Sequence, residues 1–121
     1  VFAIYMVGKV AAWIKAQGGL AEMGRRNAGK AALLYGVIDG SDGFYRGHAE
    51  KGSRSRMNVT FRLGSPTLEE QFVAEAKERG LAGLKGHRSV GGMRASIYNA
   101  MPLAGVEKLA SFMEEFRKKN R

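Results

Sequence analysis

Between Leu84 and Asn99 the chain sets a histidine, two arginines and three glycines close together: Leu84-Lys85-Gly86-His87-Arg88-Ser89-Val90-Gly91-Gly92-Met93-Arg94-Ala95-Ser96-Ile97-Tyr98-Asn99. An arginine where a loop meets a strand offers a planar fork of donors, which holds a carboxylate through two hydrogen bonds as lysine cannot. Arg94 is so placed, because Ala95-Ser96-Ile97-Tyr98 alternates small or polar residues with apolar ones. His87 and Arg88 can give further donors to a phosphate, helped by the loop's backbone N–H groups. Gly86, Gly91 and Gly92 loosen the backbone where side chains would crowd a ligand. A flexible basic loop feeding a rigid strand suits a small molecule with two separated negative groups.

Plainer readings stand beside these. Arg94 can be a sheet arginine paired with a nearby acid, and His87-Arg88 a solvated basic loop. The residues alone leave both open. Other chemistries find less support. No GxxxxGK[ST] stretch occurs, so nucleotide hydrolysis has no phosphate cradle. There is no cysteine, and His48 and His87 lie in no HxxxH or HExxH pattern, so no metal site is expected. His48 reads as a strand residue without a catalytic task, and Glu69-Glu70 and Glu114-Glu115 as surface helix charges.

The net charge of +9 fits nucleic acid, an acidic membrane or an anionic metabolite as partner. Arg54-Ser55-Arg56 and the basic tail raise the alternative of a nucleic-acid-binding module. Aromatic residues are not interleaved with them as a stacking platform requires. No apolar run approaches the ~20 residues of a membrane span.

The elements that must hold the loop follow from periodicity. Phe2, Met6, Val10, Trp13 and Ile14 recur at helical spacing over 2–17, and Gly18-Gly19 stop that helix. A second helix runs over 20–38, with Leu20, Met23, Ala31, Leu34 and Ile38 on one face and Arg25, Arg26 and Lys30 on the polar side. After the turn residues 39–43 comes a short strand at 44–48, then a polar loop of hairpin character at 50–55. Met57, Val59, Phe61 and Leu63 alternate with polar residues, the pattern of a half-buried strand. Ser65-Pro66-Thr67-Leu68-Glu69-Glu70 is a helix start, with a Thr67/Glu70 capping-box spacing. That helix ends at Gly80, and after a short segment at 81–85 and the glycine-rich loop a third strand is expected over 94–99. Pro102 opens a last helix with the stripe Val106, Leu109, Ala110, Met113 and Phe116. Tyr5, Trp13, Phe72 and Phe116 read as core. The order predicts one α+β domain, a small antiparallel or mixed sheet covered on one face by helices.

The 17 residues from Leu84 to Ala100, LKGHRSVGGMRASIYNA, resemble the C-terminal signature of the phosphoserine aminotransferases, pyridoxal-phosphate enzymes of fold type I. Phe2-Ala3-Ile4-Tyr5 through Trp13-Ile14, Ser55-Arg56-Met57-Asn58-Val59 with Phe61-Arg62, and Pro102-Leu103 through Phe116 resemble the family as well. The resemblance implies amino-group transfer between glutamate and 3-phosphohydroxypyruvate, in serine and, in bacteria, pyridoxine biosynthesis. It implies a cytoplasmic homodimer whose partner molecule is a phosphorylated amino or keto acid, with no nucleic acid and no membrane. Arg94 matches the arginine for the substrate α-carboxylate. His87 and Arg88 match the pair that helps bind the substrate phosphate in the neighbouring subunit's active site.

The Schiff-base lysine, the stacking aromatic residue, the aspartate at the pyridine nitrogen and the Asn-Thr loop for the cofactor phosphate lie upstream in that family. Lys85 does not match the lysine's position. The chain is therefore expected to be a fragment. Residues 1–17 are a helix leading in from a large domain, and residues 18–121 a C-terminal small domain that binds substrate, with no catalytic residue and no pyridoxal phosphate of its own. Trp13 and its apolar neighbours are expected to be exposed where that larger domain is missing.

Overall fold

Residues 58–62 read Asn, Val, Thr, Phe, Arg, and this alternation decides which way the sheet faces. In a computed structural model describing residues 1–121, the order is α1 (Phe2–Ala16), α2 (Gly19–Asp39), β1 (Arg46–Gly47), a 3₁₀ turn (Lys51–Ser53), β2 (Asn58–Arg62), α3 (Pro66–Glu78), β3 (Met93–Ser96) and α4 (Leu103–Asn120). The sheet has the order β1-β2-β3 and is antiparallel throughout. Val59 faces Ala95 and Phe61 faces Met93, all four buried. Asn58, Thr60, Arg62, Arg94 and Ser96 fall on the other face, where none is fully buried.

The helices α2, α3 and α4 lay their apolar stripes on the buried face. Ala31, Leu34 and Ile38, Phe72 and Ala76, and Val106 through Phe116 join the strands in one core of 19 residues. Phe72 sits at its centre, with ring centroids 5.7 Å from Phe61, 5.0 Å from Phe112 and 5.1 Å from Phe116. These edge-on contacts add to the large apolar area that each ring buries. The Tyr45 hydroxyl donates to the Met113 carbonyl at 2.7 Å, and burial pushes its phenol well above the usual range.

Several expectations need correction. The strand at 44–48 shrinks to Arg46–Gly47, because the Tyr45 N–H is taken by the Ser41 hydroxyl at 3.0 Å rather than by a neighbouring strand. The third strand stops at Ser96, since the chain beyond turns around the Lys30 ammonium. That ammonium donates to the carbonyls of Ile97, Tyr98 and Met101 at 3.1, 2.8 and 3.0 Å. Lys30 is only 3% exposed, not on the polar side, and its burial lowers its pKa. Leu20 is 80% exposed and so lies outside the core.

The cap of α3 is Ser65, whose hydroxyl accepts from the Leu68 N–H at 3.2 Å, and not Thr67 with Glu70. Glu69 is no idle surface charge. Its carboxylate accepts from the Leu63 N–H at 3.0 Å, tying the helix start to the end of β2. Finally α1 buries none of its residues. Tyr5 and Trp13 are exposed rather than core.

Two outcomes follow. Phe72→Ala should cost about 3–5 kcal/mol in denaturant unfolding, and Phe72→Leu clearly less. Asp39 accepts two hydrogen bonds from Arg54, at 2.9 and 2.7 Å, which hold its carboxyl below the usual carboxylate range. A lowered folded pKa gives stability above the ordinary carboxylate range that is lost as pH falls through the folded value. Asp39→Asn should therefore flatten the acid limb of thermal stability, with a loss of no more than about 1 kcal/mol at neutral pH because water screens the pair.

Candidate functional site

The loop is built from backbone outward. Lys85 pairs with Met93 in a single antiparallel bridge, and the Arg94 N–H donates to the Leu84 carbonyl at 2.8 Å. Inside that bridge the Gly86 N–H donates to the Gly92 carbonyl at 2.8 Å, and the His87 carbonyl accepts from Val90 and Gly91 at 3.1 and 2.7 Å. A Cβ on Gly86 would lie 2.2 Å from the Gly91 carbonyl oxygen, so only glycine lets the two ends approach. Gly91 and Gly92 take φ of +76° and +68°. These glycines serve the loop's own closure. The expected flexible segment with room left for a ligand is instead a closed, hydrogen-bonded turn.

Arg94 stands on the open sheet face opposite Thr60. Beside it the Ser96 hydroxyl donates to Asn58 Oδ1 at 3.0 Å, and Asn58 Nδ2 donates to the Tyr98 hydroxyl at 2.8 Å. Arg94 itself is half-buried, its Nε is buried without a hydrogen-bond partner, and it joins none of the chain's ion pairs. The plainer reading of an arginine neutralised by a nearby acid therefore fails. A buried donor left unpaired costs about 1–3 kcal/mol, which an arriving carboxylate relieves.

His87 is exposed at the tip, and the Ser89 N–H donates to its Nδ1 at 3.2 Å, with the Ser89 hydroxyl 2.8 Å away. A nitrogen that accepts a backbone N–H carries no proton, so in the neutral ring the proton sits on Nε2 and leaves it a donor. Arg88 is exposed and joins no ion pair.

The loop is a wall between two depressions. One, of about 260 Å³, is lined by Arg94 and His87 with Asn58, Thr60 and His48. The other, of about 570 Å³, lies against α3 and is lined by His87 and Arg88 with Lys85, Glu69 and Glu70. His87 thus borders both, while Arg94 and Arg88 face opposite sides. The two anionic groups that these arginines suit do not meet in one pocket of this chain.

The cations of the nucleic-acid alternative are largely spoken for. Arg54 is held by Asp39 and lies over the Tyr35 ring at 4.5 Å. Arg117 pairs with Glu114 at 2.8 Å and Lys119 with Glu75 at 2.9 Å.

The family described as aminotransferase class-V matches residues 1–109. The chain belongs to the class-V aminotransferases. Among the curated members it is similar to phosphoserine aminotransferases of Geobacillus kaustophilus, at 64% identity over 98% of this chain and 33% of that one. It is also similar to that of Herpetosiphon aurantiacus, at 61% identity over 98% and 33%. Solved structures agree. The phosphoserine aminotransferase of Bacillus circulans subsp. alkalophilus superposes with a TM-score of 0.95 at 52% identity, over 99% of this chain and 33% of that one. A pyridoxal-phosphate-bound phosphoserine aminotransferase from Trichomonas vaginalis gives 0.85 at 39%, over 93% and 32%. The chain spans about a third of the length of the relatives it matches. The three-stranded antiparallel sheet with its helices is thus part of the pyridoxal-phosphate-dependent aminotransferase fold.

A pyridoxal-phosphate site uses a free lysine amine, and the buried Lys30 is not one, since all its donors go to backbone carbonyls. Lys85 lies exposed on the loop's flank. Asn58 and Thr60 belong to no chemical motif, although the alternation in β2 already places them opposite the core. His48 carried no local signal, since only the β1–β2 pairing brings it near the loop.

Gly86→Ala should push the Gly91 carbonyl away and break the Gly86–Gly92 bond, speeding amide hydrogen exchange across residues 86–92 more than tenfold. Gly52→Ala, with open space at its Cβ, should leave that exchange unchanged.

Proposed function

We propose that this chain is the substrate-gripping domain of a pyridoxal-phosphate-dependent phosphoserine aminotransferase. The enzyme would transfer an amino group between glutamate and 3-phosphohydroxypyruvate, giving phosphoserine and 2-oxoglutarate. In this reading it serves serine biosynthesis and, in bacteria, that of pyridoxine, as a cytoplasmic homodimer. The observation that carries it is the Arg94 guanidinium, half-buried on an open sheet face with a partnerless Nε and no acid of the chain against it. Arg94 takes the α-carboxylate shared by donor and acceptor. His87, through Nε2, and Arg88 take the phosphate, across the loop from Arg94 and in the neighbouring subunit's site.

The exposed row Phe2, Tyr5, Val10 and Trp13 along α1 supports the division into a lead-in helix over 1–17 and a small domain over 18–121. Amino transfer itself belongs to parts of the enzyme outside these residues, so the chain alone is inactive. No helix is long and apolar enough to cross a membrane.

In the complete enzyme, Arg94→Ala should cut kcat/KM by a factor of about 10–100 for the phosphorylated substrate and for glutamate alike, the loss of a charge-assisted pair worth ~1.5–3 kcal/mol. Arg88→Ala should raise KM for the phosphorylated substrate while leaving that for glutamate within about twofold. Steady-state kinetics with each substrate varied in turn would show this; unchanged values for Arg94→Ala would remove it from the site.

A further inference from the structure

The side chain of Arg62 is the one that reaches residues 86–92 from elsewhere in the chain by a hydrogen bond. Its Nη2 donates to the Val90 carbonyl at 2.9 Å, and the loop's other side-chain hydrogen bonds are those of His87 with Ser89 inside it. Arg62 follows Phe61, whose partner across the ladder is Met93, so its neighbour across the sheet is Gly92. There the ladder stops, because the Gly92 carbonyl turns inward to Gly86. The Arg62 side chain takes over where backbone pairing ends.

The fit between this arginine and the loop is close. A Cβ on Gly92 would come 3.1 Å from Arg62 Cγ, and one on Gly91 would come 2.7 Å from Arg62 Nη2. The two glycines thus leave a bed for the arginine as well as supplying the positive φ of the turn. At its other side Arg62 Nε stands 4.0 Å from the Glu69 carboxylate, which the Leu63 N–H holds at 3.0 Å. Strand β2 and the first turn of α3 therefore aim the guanidinium, and the guanidinium fixes Val90. Val90 in turn donates its N–H to the His87 carbonyl at 3.1 Å. Moving Val90 moves the turn that carries His87 and Arg88.

We propose that Arg62, which also borders the depression lined by Arg94 and His87, is a positioning residue for the phosphate-gripping loop, acting on substrate affinity through Val90. This rests on the assignment of His87 and Arg88 to the substrate phosphate. A residue that fixes only this loop affects the phosphorylated substrate and spares the one without phosphate, which a general loss of stability does not do.

The test is made in the complete enzyme with Arg62→Ala, Arg62→Lys and, as reference, Arg88→Ala. Arg62→Ala should raise KM for the phosphorylated substrate about three- to tenfold, as loss of one hydrogen bond allows, and that for glutamate less than twofold. Arg62→Lys, which keeps a donor within reach of Val90, should recover part of the loss. Amide exchange followed by mass spectrometry should quicken over residues 86–92 in Arg62→Ala and stay unchanged over α4. An effect of Arg88→Ala with none of Arg62→Ala would overturn the inference and leave the phosphate assignment standing. No effect of Arg88→Ala would overturn that assignment. In that event, unchanged exchange in Arg62→Ala would overturn the positioning role as well, whereas quickened exchange confined to the loop would sustain it.

Discussion

The antiparallel ladder between Asn58–Arg62 and Met93–Ser96 makes two surfaces from one set of hydrogen bonds. Because side chains alternate along each strand, the register that buries Val59, Phe61, Met93 and Ala95 also sets Thr60 beside Arg94 on the open face. A slip of one residue would bury a guanidinium and expose the aromatic core. The core therefore fixes the site. Phe61 and Phe72, packed edge to face at 5.7 Å, hold in register a strand whose other side sets Thr60 against an Arg94 that joins no ion pair of this chain. The same ladder ends at Gly92, and the loop with His87 and Arg88 is whatever the backbone must do to turn there.

Much of this was legible in the residues. The alternation from Met57 to Leu63 and the stripe from Val106 to Phe116 are local patterns with one physical solution each, and both elements appear where they point. The seventeen residues from Leu84 carried the family. What was not legible depended on partners distant in sequence. Lys30 sits in a helix pattern that assigns it to solvent, yet its ammonium gathers three carbonyls some seventy positions away. Arg54 looks like part of a basic run until Asp39 and Tyr35 close on it. Tyr5 and Trp13 read as core because their spacing is helical and apolar, but periodicity says that a face is to be covered, not by what.

The glycines teach a similar point about cause. Gly86 reads as room for a ligand, and its missing side chain is in fact demanded by the Gly91 carbonyl. Donors held at the edge of a firm turn lose little freedom when a ligand binds them. Arg94 and Arg88 line different depressions on the two sides of one loop, so no single pocket of this chain brings both together.

The most direct measurement is a structure of the complete enzyme with a phosphorylated substrate analogue bound. The expected result is the analogue's α-carboxylate on the Arg94 guanidinium through two hydrogen bonds, Nε now partnered, with its phosphate against His87 Nε2 and Arg88 of the other subunit. A carboxylate held elsewhere, with Arg94 Nε still without a partner, would contradict the central claim.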